Sequence, residues 1–271
     1  MTLLLARGGP CIIQVTRLFF LVLIMYHPYK NGYSVLPALE KLKEDPFDRD
    51  DLYSYYLSEK RKALKYQRVL LYHGINYSIL DAFSNFIIEH GPSWVKPPFT
   101  LSNVAMQVQE DIAIHRIKDG KDWLAATHIC FPSSWEPIDK IGKPLSEIHK
   151  PIPGMNLNNN YKLAEMACDK GPFRRFVWSP IYERKINYHP KNEKKKFDKD
   201  NPFILVKVEK QITYPLPKVD AFVFILRQYL VEPNLLYLLN ACKSMTEEQK
   251  RYKDIGPELI EYLEYYCGDK L

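Results

Sequence analysis

Apolar and polar positions along this chain change period twice. Over residues 51–72, Leu57, Leu64 and Leu71 recur at a spacing that keeps one helical face apolar, and Lys and Arg fill the other. Asp50 or Asp51 is available as the cap, and His73-Gly74 as the stop. A second amphipathic helix is predicted over 77–89, carrying Ile79, Leu80, Phe83, Phe86 and Ile87, with Gly91-Pro92 ending it. Residues 91–100, with Pro92, Pro97 and Pro98, read as a rigid connector.

From Asp111 the period becomes two. Ile112 and Ile114 alternate with small or polar residues, Asp119-Gly120 is a hairpin-type turn, and 123–131 reads as the returning strand. A helix is predicted over 159–169, stopped by Lys170-Gly171-Pro172, and strands over 174–179, 203–213 and 221–229. The link 214–218, Tyr-Pro-Leu-Pro-Lys, is too proline-rich for a sheet interior. Helices near 233–244, 246–254 and 257–266 close the chain. Strands in the middle with helices at both ends read as α+β, with an antiparallel sheet.

Residues 130–154 fit neither period. Pro132, Pro137, Pro144, Pro151 and Pro153 with Gly142 and Gly154 define a constrained, non-repetitive path. Such a path holds side chains at fixed positions, and Lys140 and His149 are the two with chemistry to offer.

At 271 residues, 46% hydrophobic and 26% charged, the chain has the composition of an ordinary globular protein with room for a large core. The net charge of +6 traces mostly to Lys and Arg within 184–199, between two predicted strands. A nucleic-acid reading needs a basic face with interleaved aromatics or a recognisable fold; this run reads as a solvated insertion loop, and nucleic acid is not an expected partner. Cys11, Cys130, Cys168, Cys242 and Cys267 form no C-x-x-C pair, which excludes zinc-ribbon, ferredoxin and thioredoxin motifs. Scattered free thiols fit a reducing, cytoplasmic compartment. The apolar run 18–25 is far short of the ~20 residues that span a bilayer, and no small-x-small cleavage site follows it. Stable membrane insertion is therefore not expected, although a signal anchor is the runner-up reading of this segment.

Five blocks of sequence resemble one family. Cys130-Phe-Pro-Ser-Ser-Trp135, Lys140-Ile-Gly142 and Ile148-His149-Lys-Pro-Ile-Pro-Gly154 are similar to the signature of the haem-dependent oxidative N-demethylase alpha-subunit family. Val108-Gln-Glu-Asp111, Val208-Glu209-Lys210-Gln211 with Leu216-Pro217, the strand Ala221 to Tyr229, and Arg251-Tyr-Lys253 resemble other blocks of that family, in order. The likeness covers about residues 26–265 and begins beside a second methionine. Met25 is therefore the favoured start, residues 1–25 a non-native or disordered extension, and 26–271 a single haem-binding domain.

The resemblance implies a PAS-like sheet that holds haem b. It implies oxidative N-demethylation of a small secondary amine, dimethylamine-like, using dioxygen and releasing formaldehyde. Electrons would come from a separate reductase carrying FMN and a 2Fe-2S cluster, since this chain has neither a dinucleotide fingerprint nor cluster cysteines. The alternative is a haem-binding PAS-like sensor or carrier without turnover. On either reading His149 is the expected iron ligand, Lys140, Arg175 and Arg227 the expected propionate partners, and Trp135 a pocket wall. His27, His73, His90, His115, His128 and His189 sit where a surface or cap role serves as well. Glu209, a carboxylate in an apolar strand, is expected either to face the substrate ammonium or to pair with Arg175 or Arg227. Two positions depart from the family pattern: Val177 stands where an Asn is usual, and Lys210 where an Arg is usual.

Overall fold

The computed structural model describes residues 27–268; the expected extension 1–25 and the start at Met25 lie outside them. The first described strand, β1 (Glu40–Lys41), precedes helix α1 (Tyr53–Tyr66), strand β2 (Leu70–Tyr72) and helices α2 (Tyr77–His90) and α3 (Leu101–Ala105). The hairpin β3 (Asp111–Lys118) and β4 (Lys121–His128) comes next, then the short helix α4 (Leu145–His149) and helix α5 (Asn160–Asp169). Strands β5 (Phe173–Ile181), β6 (Leu205–Leu216) and β7 (Ala221–Val231) lead to helices α6 (Leu235–Lys243), α7 (Glu247–Tyr252) and α8 (Pro257–Cys267). The strands form one antiparallel sheet in the order β1-β5-β6-β7-β3-β4-β2. The predicted α+β class with a central antiparallel sheet is what the chain adopts.

Local chemistry explains most boundaries. Asp119 and Gly120 take φ 51° and 72°, the left-handed pair that a tight hairpin between β3 and β4 requires. Asn76 caps α2 by accepting from the Ile79 N–H at 3.1 Å, and Thr246 with Gln249 forms a capping box on α7.

Two expectations fail for identifiable reasons. The helix predicted to reach Tyr72 stops at Tyr66, because its buried face is Tyr56, Leu57, Lys60 and Ala63, while Leu64 is exposed. Leu70, Leu71 and Tyr72 instead pair with His128, Thr127 and Ala126 of β4 as an edge strand. The proline-rich link is also wrong in part: β6 runs through Pro215 to Leu216. Its neighbour β5 is last paired at Thr213, so an N–H on that side of Pro215 has no strand to meet.

One face of the sheet, here the back, is covered by helices from both termini. Ile112, Ile114, Ile212, Val223 and Ile225 pack against Ile79, Phe83, Phe86 and Ile87 of α2 and Leu101 and Val104 of α3. Val206, Val208, Val231 and Trp178 pack against Leu238 and Leu239 of α6 and Leu259 and Leu263 of α8. Each fully buried Ile, Leu or Phe contributes roughly 1.5–3 kcal/mol, so this face anchors the fold. Among the described residues no helix is long and apolar enough to cross a membrane. Cys130, Cys168, Cys242 and Cys267 are buried free thiols.

Candidate functional site

The opposite, front face of β5, β6 and β7 is covered less completely. Cross-strand register places Val177, Glu209 and Gln228 in one row, Arg175, Gln211 and Leu226 in the next, and Phe173, Thr213 and Phe224 in a third. Antiparallel partners share a face. A central strand is normally buried on both sides, yet Val177, Glu209, Gln211, Thr213, Phe224 and Leu226 are only half-buried. A cleft with an apolar floor and a few polar groups therefore runs along the middle of the sheet.

The proline-rich segment forms the other wall. Trp135, Ile141 and Ile148 pack with Phe224, Leu226, Ala113, Leu124 and Ile129. Backbone bonds fix the segment to β4: the Gly142 N–H donates to Leu124 O at 2.8 Å, and the Leu124 N–H to Lys143 O at 2.9 Å. Gly142 has φ +76°, and a Cβ there would come within 3.0 Å of the His73 ring, so no other residue fits without displacement. Asp122 then starts α4 by accepting the Leu145 N–H at 2.8 Å, while the same oxygen lies 2.7 Å from His115 Nε2. The segment expected to be irregular thus contains one turn of helix, and His149 is its last residue.

His149 is half-buried, and its Nδ1 has neither solvent nor a hydrogen-bond partner. Burial, aided by the positive charges of Arg175 and Lys140, pushes its pKa down to about 4. The imidazole is therefore neutral at physiological pH, the state in which a ring nitrogen binds a metal. Among the described residues no group of three or more His, Cys, Asp and Glu could hold a bare metal ion. A metal met by His149 would have to bring most of its own ligands, as a haem iron does.

Cations gather beside it. Lys140 lies 4.2 Å over the Trp135 ring, and burial lowers its pKa to about 8 against the opposing pull of Glu209 and Asp139. Arg175 is lowered by burial, held charged by Glu209 and Tyr33, and leaves its Nε without a partner. Glu209 accepts from Gln211 Nε2 at 2.5 Å. Two lysines absent from the predicted set complete the group. Lys207 donates to Ser133 Oγ at 2.6 Å, and Lys253 donates to Trp178 O at 2.6 Å; burial pushes each down to about 8. Lys253 belongs to the Arg-Tyr-Lys tripeptide, which was the available signal for it. Alternation along β6 puts Lys207 on the face of Glu209 and Lys210 on the other, but it does not mark a lysine as a site residue.

The structure therefore brings Lys140, His149, Arg175, Glu209 and Trp135 to one cleft. It does not bring Arg227 there. Arg227 is the register partner of Lys210 and points to the back, where Asp50 lies 2.6 Å and Glu110 3.9 Å away between the Tyr56 and Tyr229 rings. A pairing of Glu209 with Arg227 is excluded by the same placement. Of the two departures from the family pattern, Val177 is the direct cross-strand neighbour of Glu209, whereas Lys210 is on the back face with Asp48. His115, His128 and His189, expected to serve equally well as surface or cap residues, are buried. A shallow depression lined by Tyr66, Gln67, Arg68, Glu136, Ile138 and Lys191 shares no residue with this cleft.

No curated protein matches the chain. A family model described as haem-dependent oxidative N-demethylase, alpha subunit-like, matches residues 84–257, more than half of the chain, and that span contains His149, Lys140, Arg175, Lys207, Glu209 and Lys253. The chain belongs to the haem-dependent oxidative N-demethylase alpha subunit-like family.

Proposed function

We propose that the cleft between the proline-rich segment and the front of β5–β7 binds haem b, and that the protein oxidatively demethylates a small secondary amine there. What carries this reading is the convergence of a neutral, unpartnered His149 with Lys140 and Arg175 over the half-open apolar floor of Phe224 and Leu226. A macrocycle needs an apolar slot, a ligand for its iron and cations for its propionates, and the cleft offers all three. We read the sheet as PAS-like, and residues 26–271 as the haem-binding unit.

Bound haem would supply dioxygen activation. With it, one oxygen atom of dioxygen would end in a methyl C–H bond, giving an N-hydroxymethyl amine that would split into formaldehyde and the demethylated amine, and the other would end as water, with two protons and two electrons from a separate flavin and iron–sulfur reductase. Glu209 would accept a hydrogen bond from the substrate ammonium and so aim the methyl group. Val177 and Leu226 would exclude water around that methyl, and α4, tied to β4 through Asp122, would hold His149 in place.

The test is the absorption spectrum of purified protein and of His149→Ala. The wild type should show a Soret band that shifts with added amine. His149→Ala should lose haem while keeping its thermal transition, whereas His128→Ala should keep the spectrum. An unchanged Soret maximum and haem content in His149→Ala would remove this ligand.

A further inference from the structure

Among the described residues, Lys60, Lys207, Lys210 and Arg227 are the cations buried from solvent. Three of them have a carboxylate: Lys60 lies 3.5 Å from Asp111, Arg227 2.6 Å from Asp50, and Lys210 pairs with Asp48. Lys207 has the Ser133 hydroxyl at 2.6 Å and the Tyr188 ring at 4.7 Å. Lys253, which reaches over the edge of β5 from the turn after α7, donates to Trp178 O and, at 3.3 Å, to Ser179 Oγ. Ser179 is the cross-strand partner of Lys207, so two ammonium groups converge there, next to Glu209 along β6. Removing an ammonium from water costs several kcal/mol unless an anion answers it. Glu209 cannot answer all four nearby cations.

From this juxtaposition we propose that Lys207 and Lys253 form an anion subsite beside Glu209, and that the substrate is a zwitterionic N-methyl amino acid. Its ammonium meets Glu209 and its carboxylate meets the two lysines. The inference rests on the haem and Glu209 reading above. On that reading Lys140 and Arg175, the cations that act on His149, would serve the propionates. Two propionates and Glu209 then leave one positive charge over. A plain alkylammonium would raise that surplus to two, whereas a zwitterion adds nothing to it. Electrostatic complementarity therefore favours the amino acid over the simple amine. Val177 opposite Glu209 fits the same picture, because it offers the ligand no hydrogen bond and leaves its polar recognition to charges.

The experiment is calorimetric titration of the purified protein with N-methylglycine, dimethylamine and acetate, with the Soret band followed in parallel. N-methylglycine should bind roughly tenfold or more tighter than dimethylamine, the effect of one partly buried charge-assisted contact. In Lys207→Met/Lys253→Met that preference should vanish, with dimethylamine bound at least as tightly as by the wild type and the Soret band retained. Each single variant should show part of the loss, which serves if the double variant does not fold. Equal binding of the two amines by the wild type overturns the subsite, as does a double variant that sheds haem and keeps the preference. A protein without a Soret band that still selects N-methylglycine through these lysines upholds the subsite and sinks the haem reading. A Soret band that shifts equally with either amine does the reverse.

Discussion

On the back of the central strands, Lys210 and Arg227 each meet a carboxylate, Asp48 and Asp50, with Tyr229 donating to Asp48 at 2.7 Å and Gln109 donating to Asp50 at 2.8 Å. On the front of the same sheet, Lys207 of β6 and Arg175 of β5 lie near a single carboxylate, Glu209, with which neither forms a close ion pair. The back is a cross-link: it ties the segment before α1 to β6 and β7, and each of its two cations has a carboxylate within the chain, although Arg227 Nε and Nη1 and Glu110 Oε2 make no hydrogen bond. The front carries a similar density of charge and leaves it unanswered. A buried cation is costly unless an anion answers it, so a face whose cations outnumber its carboxylates is the one that receives an anion. The same residue types therefore mean structure on one side of the sheet and binding on the other, and pairing is what separates them.

Breaking the back should have the largest effect. Arg227→Met leaves Asp50 and the fully buried Glu110 facing each other without their cation. Removing one partner of a buried ion pair costs about 3–5 kcal/mol. The expected outcome is a large fall in melting temperature with no selective effect on ligand. A folded Arg227→Met that has only lost haem would return Arg227 to the site and undo the comparison.

Next in size is Glu209→Gln, which removes charge at nearly constant volume. Amine affinity should fall by roughly tenfold or more, corresponding to ~1.5–3 kcal/mol for a charge-assisted hydrogen bond. The melting temperature should fall far less than in Arg227→Met, because Glu209 closes no short ion pair. Spectral titration with an amine and a thermal melt on the same variant decide it. Wild-type amine binding in a strongly destabilised Glu209→Gln would make the front a second structural network.

How much of this division the sequence carried differs from residue to residue. Strands β3 to β7, the Asp119-Gly120 turn and α2 were legible, because period, turn chemistry and caps are local properties. The edge strand β2 was not, since three residues pair only because β4 is already there. Lys140, His149, Arg175 and Glu209 could be named from motifs, yet their meeting depends on β4 anchoring the proline-rich segment through Leu124 and Asp122. Arg227 was misassigned because a cation on a strand has no sign of its face unless the register is known. Alternation from Glu209 through the hairpin to Gln228 would have placed Arg227 on the back. Lys207 escaped for the complementary reason: it is ordinary in sequence, and only the absence of a carboxylate beside it in space makes it informative.

The smallest expected effect is the sharpest test of the contrast. Lys207→Met at pH 7 removes a buried ammonium that has no carboxylate partner, so it should leave stability unchanged or raise it. A loss as large as that of Arg227→Met would show that Lys207 is structurally paired after all. The pH dependence supplies the sign. Burial takes Lys207 from an ordinary 10.5 to about 8, opposed by Glu209 on its own strand and reinforced by Lys194 from the basic loop. Between those two values the unfolded chain holds the proton that the folded protein has released, so stability rises with pH. Lys140 and Lys253 act in the same direction. Tyr182 and Tyr188, both raised by burial, oppose the trend once the unfolded chain begins to ionise near 10.0. Thermal melts of the haem-free protein should therefore show stability climbing from about pH 8 to about pH 9, where the thiols of Cys130, Cys168 and Cys242, raised from 9.0 by burial, begin to oppose it, and Lys207→Met should climb less steeply. An identical slope in the variant would mean that the Lys207 ammonium is already answered in the folded chain, and the front face would lose its distinction from the back.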